Sequence, residues 1–187
     1  STKKNEFEAK LLINASGAWV DEIAKLAGVE PIGFIPYKRS IARVKLSDPT
    51  TVKSWPMITG VNEEFYAKPD AGELIVSPAD ETPSLPHDAW ATEEDLATGI
   101  YFLNEVTQLS IRKMSSNWAG LRTFSPDRAL VIGHDKKNSS FFWFAGQGGY
   151  GFQTSAAASE LAAELIFGLK PGIGKTVADA LSPIRFN

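Results

Sequence analysis

The pattern of apolar and polar residues is most distinctive near the end of the 187-residue chain. Four large apolar residues in a row, at 141–144, predict a buried strand. Glycines then occupy four of the six positions 146–151, which predicts a tight loop. The alanine-rich run 156–167 stops at Gly168 and predicts a helix. We therefore expect a strand, a glycine loop and a helix in succession.

This glycine loop (residues 146–151) is suited to binding an anion or a polar ring edge. A helix that begins directly after such a loop presents unpaired backbone N–H groups and about half a positive charge at its first turn. The loop also fits the pattern G-x-G-x-x-G, but a dinucleotide-binding unit needs a second strand after the helix, which ends in an acidic residue. Residues 168–176 are typical of a loop. The unit is therefore expected to be the last of its fold, and a tight turn without a ligand is the alternative.

A similar unit is predicted near the beginning of the chain. Residues 11–13 form a short apolar run, as expected of a strand that is covered on both faces in a parallel sheet. Small residues at 14–18 predict a turn, and residues 19–27 predict a helix that ends at Gly28. One face of this helix is expected to contain Val20, Ile23 and Leu26 or Ala27.

Between these two units the sequence is rich in strand-forming residues. Residues 32–46 are expected to be extended, and residues 65–68 and 73–77 predict an antiparallel hairpin with its turn at 70–72. The proline-containing stretch 77–88 predicts a loop. Thr92 predicts the start of a helix that continues to about residue 109. Shorter extended segments are expected at 111–125 and 130–132, followed by a turn at 135–138.

Composition and charge exclude several classes of function. The net charge of −3 and the scattered basic residues disfavour a nucleic-acid-binding protein. No apolar run approaches the length of a membrane span, and the chain has no cysteine for a disulfide or a thiolate. The two histidines, His87 and His134, are far apart in the sequence, so we expect no metal site. The expected location is cytoplasmic.

These elements define an α+β protein, in which two α/β pieces from the two ends of the chain flank an antiparallel sheet with one long helix. Two strand-loop-helix units cannot form a complete doubly wound nucleotide-binding sheet. The chain is therefore either an unusual complete fold or the later half of a longer protein. We favour a fragment of a longer protein.

Three blocks of sequence carry a family resemblance. Residues 12–19, residues 118–128 with 131–133, and residues 142–151, in this order and spacing, resemble the D-amino-acid oxidase, glycine oxidase and sarcosine oxidase family of FAD-dependent oxidoreductases. The resemblance implies that residues 9–30 and 128–170 are the C-terminal part of a discontinuous FAD-binding domain. It implies that residues 31–127 are the substrate-binding domain. The amino-terminal Rossmann unit of the family has no counterpart in these blocks, so the expected protein is a C-terminal fragment of a two-domain flavoprotein.

The resemblance also implies roles for particular residues. Arg122 matches the family arginine that pairs with the substrate carboxylate, and its planar fork suits both carboxylate oxygens. Tyr66 is a second candidate for substrate binding, whereas Lys38 and Arg39 are expected at a solvated edge rather than in the substrate cavity. No residue is assigned a catalytic role and none is assigned to a metal. The residues expected to bind FAD are Asn14, Ala15, Gly17, Trp19, Gly146, Gln147, Gly148, Gly149, Tyr150 and Gly151.

The implied activity is oxidation of the C–N bond of an amino acid or secondary amine by hydride transfer to FAD. The expected partners are a small amino acid or amine substrate and an N-terminal FAD-binding segment, without which the fragment is expected to be inactive. The glycine loop departs from that of glycine oxidase, which carries a second arginine nearby, so the resemblance does not single out glycine as the substrate. The alternative is a non-enzymatic binding or interaction domain that keeps the fold without FAD.

Overall fold

The computed structural model describes residues 5–186, which form nine strands and four α-helices. The strands are β1 (Leu12–Asn14), β2 (Ile35–Val44), β3 (Ile58–Thr59), β4 (Tyr66–Asp70), β5 (Glu73–Ser77), β6 (Thr82–Pro83), β7 (Ser116–Phe124), β8 (Val131–His134) and β9 (Phe141–Ala145). The helices are α1 (Val20–Leu26), α2 (Glu93–Val106), α3 (Gly151–Ile166) and α4 (Lys175–Leu181). The chain divides into two compact units, one of residues 5–36 with 122–186 and the other of residues 37–121.

The first unit is built on a three-stranded sheet in the order β1-β9-β8. The central strand β9 runs parallel to β1 and antiparallel to β8. Alternate side chains of β9 point to opposite faces, so Phe141 and Trp143 pack with α1 residues while Phe142 packs with α3 and α4 residues. These three aromatic side chains are at most 1% exposed, which confirms the buried strand predicted from the apolar run. The helix predicted after the glycine loop is confirmed as α3.

The burial predicted for the first strand is wrong. Leu12 is 43% exposed and Ile13 is 51% exposed. Among the described residues, β1 pairs only with β9 and lies at an edge of its sheet. A continuous apolar run predicts coverage on both faces only when neighbouring strands and helices are present. The run therefore leaves two large apolar side chains at an open sheet edge.

The helix predicted at 19–27 is present as α1, and its packed face agrees with one of the two predicted alternatives. Val20 is buried and Ala27 packs against the same cluster, whereas Leu26 is 83% exposed. Ala24, which was not predicted on this face, is also buried. The carboxylate of Asp21 accepts hydrogen bonds from the backbone N–H groups of residues 32–34, at 2.8 to 3.2 Å. This acidic side chain therefore fixes the chain that follows α1, in addition to its favourable place in the first turn of the helix.

The loop predicted at 168–176 is present after α3, but it is two residues shorter than predicted. Helix α4 begins at Lys175, and a short 3-10 helix follows at Pro183–Phe186. Helix α4 packs against β8 with Ala178 buried. Within residues 5–186, the chain after α3 therefore adds helices to the first unit and no further strand.

The second unit contains a six-stranded sheet, in which β2, β3, β4, β5 and β6 pair antiparallel, and helix α2. Strands β3, β4, β5, β2 and β6 follow one another in that order, and β7 also pairs with β2. The predicted hairpin is confirmed, since β4 and β5 pair antiparallel around Ala71 and Gly72, both with positive φ. Thr92 caps α2 as predicted, and its hydroxyl accepts from the N–H of Asp95. Leu96 and Leu103 of α2 are buried against the sheet.

The α+β class predicted from the sequence is confirmed. The proposed split into a flavin domain and a substrate domain stays a prediction, because the structure divides the chain at residues 36 and 121 without identifying what either unit binds. No helix in the described part of the chain is long and apolar enough to cross a membrane.

Candidate functional site

Two of the loops predicted to bind a cofactor lie at the same edge of the first unit's sheet. Strands β1 and β9 are parallel neighbours, with Asn14 opposite Trp143. The loop at 15–19 leaves the carboxyl end of β1, and the glycine loop leaves the carboxyl end of β9. Ligands of α/β sheets bind outside the carboxyl ends of parallel strands. The topology therefore brings the two sequence blocks together at the edge where a ligand is expected.

Within the glycine loop, two glycines are required by the protein's own packing. Gly146 and Gly148 have φ values of 76° and 52°, in the left-handed region that favours glycine. A Cβ atom on Gly148 would lie 2.3 Å from Cε1 of Phe124, and one on Gly146 would lie 3.1 Å from the carbonyl oxygen of Ala129. These two positions are therefore explained without a ligand.

Gly149 has a different environment, because it lies beside the guanidinium of Arg122. A Cβ atom on Gly149 would be 3.0 Å from Nη1 and 3.3 Å from Cζ of Arg122. Gly149 is exposed and its φ lies outside the left-handed region, so backbone conformation does not require glycine here. The space beside Gly149 is taken by the side chain that the sequence predicted to bind a substrate carboxylate. The structure thus places Arg122 at the glycine loop.

The first turn of α3 completes this part of the site. Helix α3 begins at Gly151, its N-cap residue Tyr150 makes no side-chain capping bond, and its first turn contains no acidic residue. The side chain of Phe152 in that turn is 97% exposed. An uncapped helix start carries partial positive charge. Together with the arginine, it makes this end of the site electropositive.

An aromatic contact that the sequence did not predict packs against the glycine loop. The rings of Phe124 and Tyr150 meet edge to face with their centroids 6.0 Å apart. The guanidinium of Arg128 lies over the Phe124 ring, 3.9 Å from its centroid. The backbone N–H of Gly148 donates to the carbonyl of Thr123 at 3.0 Å. The signal in the sequence was Phe124 itself, an aromatic residue two positions after the predicted substrate arginine.

The loop at 15–19 is held by Asn14, which is 1% exposed. Its Nδ2 donates to the carbonyl of Val20 at 2.8 Å, and its Oδ1 accepts from the hydroxyl of Ser16 at 2.6 Å. The Asn14 side chain therefore shapes the loop, and the exposed backbone around Gly17 is better placed to meet a ligand. Trp19 is 43% exposed at the end of the same loop. The cofactor-binding roles of these residues stay predictions.

Tyr66 lies in the second unit on β4, where the structure places it beside Arg39. The Arg39 guanidinium carbon is 6.0 Å from the centre of the Tyr66 ring, and Arg39 Nη2 is 4.0 Å from a carboxylate oxygen of Glu81. The Arg39 side chain is only 14% exposed, so the expectation of a solvated edge is wrong for this residue. Lys38 forms an ion pair with Asp95 at 2.5 Å and is also largely covered.

The electropositive site fits the part of FAD on which negative charge accumulates during reduction. Gly149 is exposed, and the uncapped start of α3 supplies backbone donors and positive potential at the same place. The remaining loop glycines face the protein. The binding of a flavin edge at this loop stays a prediction.

Comparisons with known proteins identify the family. Residues 1–165 match the model of the DAO family, described as FAD dependent oxidoreductase. The chain therefore belongs to this family of FAD-dependent oxidoreductases. A curated relative, the hydrogen cyanide synthase subunit HcnC of Pseudomonas aeruginosa, is 25% identical over 164 residues, which cover 84% of this chain and 36% of that protein.

Solved structures show the same fold. Glycine oxidase from Geobacillus kaustophilus aligns with a TM-score of 0.79 and 18% identity, over 96% of this chain and 46% of that one. L-proline dehydrogenase from P. horikoshii aligns with a TM-score of 0.77 and 26% identity, over 94% of this chain and 46% of that one. The chain thus spans less than half the length of these relatives. The predicted resemblance to the amino acid oxidase family is confirmed.

Proposed function

We propose that this chain is the C-terminal segment of a FAD-dependent enzyme that oxidises the C–N bond of an amino acid or secondary amine. The observation that carries the proposal is the contact between Arg122 and Gly149, which joins a carboxylate-binding side chain to the glycine loop and the start of α3. Membership of the FAD-dependent family supports the cofactor. The match to under half of each relative supports the proposal that this is a segment of a longer protein.

Arg122 binds and orients the substrate in this proposal. Its guanidinium donates two parallel hydrogen bonds to a carboxylate, which fixes the position and the plane of that group at once. Orientation is the main contribution that a protein makes to hydride transfer, because the flavin supplies the reactive ring. Tyr66, in the second unit, stays a separate candidate for substrate binding, as a hydrogen-bond donor or as part of a pocket wall.

The glycine loop and the start of α3 hold the charged edge of the cofactor. FAD held there would supply the acceptor for a hydride from the substrate carbon next to nitrogen, and the amine would become an imine as its nitrogen releases a proton. Backbone N–H groups at an uncapped helix start stabilise negative charge without having to reorient. The other contacts to FAD come from a further FAD-binding segment. We place that segment at the open edge of β1, where Leu12 and Ile13 are exposed and an additional strand can pair.

The proposal is tested by purifying the whole protein with excess FAD and recording its absorption spectrum. We expect a stoichiometric flavin band and reduction of the flavin when the right substrate is added without oxygen. D-amino acids, glycine and N-methyl amino acids form the first substrate panel, each paired with the amine that lacks its carboxylate. A whole protein without bound flavin would contradict the proposal and would favour the alternative of a non-enzymatic binding domain.

Replacing Gly149 by alanine tests the link between the loop and the arginine. The new methyl group would meet Arg122 Nη1 at 3.0 Å and push the guanidinium from its place. We expect KM for a carboxylated substrate to rise about tenfold, which corresponds to roughly 1.4 kcal/mol, with a smaller change in kcat. Steady-state kinetics measure both constants.

Gly172→Ala is the matched control for this substitution. A Cβ atom there would also lie 3.0 Å from a charged side chain, the carboxylate of Glu164, and the φ of Gly172 is likewise outside the left-handed region. The control therefore introduces the same methyl group against a mobile charged group away from the glycine loop. An equal rise in KM for both variants would show that Gly149 has no particular effect on Arg122.

A further inference from the structure

Arg185, in the 3-10 helix near the end of the chain, donates four hydrogen bonds to one turn of the first unit and one to the residue that precedes its own helix. Its Nε donates to Asp127 Oδ2 at 2.6 Å and its Nη2 to Asp127 Oδ1 at 3.0 Å. Nη2 also donates to the carbonyls of Ala129 and Leu130, at 3.2 and 3.0 Å, and Nη1 donates to the carbonyl of Ser182 at 2.9 Å. The fork of the guanidinium thus binds both the carboxylate and the backbone of residues 125–130, which we call the 125–130 turn.

Asp127 stabilises the 125–130 turn by hydrogen bonds to other residues of the same turn. Its Oδ1 accepts from the hydroxyl of Ser125 at 2.8 Å and from the N–H of Ala129 at 3.1 Å. Arg128, between them, has a φ of 64°, a conformation that costs a non-glycine residue energy and persists only when its surroundings impose it. The Arg185 guanidinium holds the pKa of Asp127 well below its usual range, so the carboxylate stays charged near neutral pH.

The same turn contacts the glycine loop at two points. The hydroxyl of Tyr150 donates to the carbonyl of Arg128 at 2.8 Å. Gly146 lies so close to the carbonyl of Ala129 that a Cβ atom there would be 3.1 Å from the oxygen. One end of the turn continues from Phe124, whose ring packs against Gly148. The place of the loop is therefore set by the shape of this turn.

We propose that Arg185 is a positioning residue for the glycine loop, which it places through Asp127 and the 125–130 turn. The family model matches residues 1–165, so this arginine lies outside the matched region. The effect on loop geometry does not depend on any cofactor. The effect on flavin binding rests on the function proposed above.

Hydrogen exchange of the backbone amides tests the proposal without a flavin. The N–H groups of Gly148 and Tyr150 are bonded to the carbonyls of Thr123 and Gln147, and opening of the loop exposes them to exchange. In Arg185→Lys, which keeps the charge but loses the fork, we expect both amides to exchange about tenfold faster. Amides of β9 should keep their exchange rates, because the strand lies in the core. Asp127→Asn should have the same effect by removing the partner of the fork.

Lys175→Ala is the control, because Lys175 lies in the same part of the chain and forms an exposed ion pair within its own helix, with Asp179. It should leave loop exchange unchanged. A rise in exchange rate that is confined to residues 125–130 and 182–186, or an equal rise throughout β9, would overturn the proposal.

In the whole protein, the dissociation constant of FAD should rise in Arg185→Ala and partly recover in Arg185→Lys. If the wild type bound no FAD, the proposed function would be wrong. The hydrogen-exchange result would still decide whether Arg185 positions the glycine loop.

Discussion

Arg122→Ala is expected to lower kcat/KM for carboxylated substrates by about 100- to 1,000-fold. The substitution removes the guanidinium that lies at Gly149 and leaves a substrate carboxylate without its charged partner. A hydrogen-bonded charge pair costs a few kcal/mol to break, because the remaining charge is left unpaired in a partly desolvated site. The measurement is kcat/KM for an amino acid substrate of the whole, FAD-loaded enzyme.

The same variant should treat substrates with and without a carboxylate differently. For an amine that lacks the carboxylate, wild type and Arg122→Ala should have similar kcat/KM, since no charge pair is lost. Arg122→Lys should be intermediate, because an ammonium keeps the charge but cannot form two parallel bonds. Arg112→Ala, which removes an exposed arginine of the second unit, is the control for the loss of one positive charge. If Arg122→Ala kept its preference for carboxylated substrates, its assignment to substrate binding would be wrong.

The sequence predicted those parts of the fold that depend on local patterns. The aromatic run of β9 is buried because each face of the strand meets a helical layer, and a continuous apolar run is typical of that environment. The hairpin of β4 and β5 followed from Gly72 beside Ala71, and the start of α2 followed from Thr92. In each case the residues that determine the structure lie within a few positions of one another.

Features that depend on distant contacts could not be predicted. Nothing near Leu12 and Ile13 indicates that β1 lies at an open edge, since this depends on which strands pair with it. The roles of the individual glycines in the glycine loop also depend on distant contacts. Its pattern indicated ligand binding throughout, but Gly148 faces the ring of Phe124, whereas Gly149 faces Arg122. Only the fold shows that a Cβ atom would meet an aromatic ring at one of these glycines and the predicted substrate arginine at the next.

Gly148→Ala is expected to lower the free energy of unfolding by about 2 to 4 kcal/mol. Two costs combine at this position. The φ of 52° disfavours any residue with a Cβ atom. The Cβ atom would also lie 2.3 Å from Cε1 of Phe124, so the ring or the loop has to move. Denaturant unfolding followed by tryptophan fluorescence measures the loss, because Trp143 of β9 is buried in the same unit.

Two further variants separate the costs. Gly28→Ala introduces the same methyl group at a φ of 70°, and no atom lies within 4 Å of it. We therefore expect only the conformational cost, a decrease of about 1 kcal/mol in the free energy of unfolding. Phe124→Leu shortens the side chain that Gly148→Ala would strike. In the double variant Phe124→Leu/Gly148→Ala, the free energy of unfolding should decrease by less than the sum of the two single decreases, because the shorter side chain relieves the clash. Strict additivity would mean that the ring does not restrict residue 148, and the packing explanation for this glycine would then be incorrect.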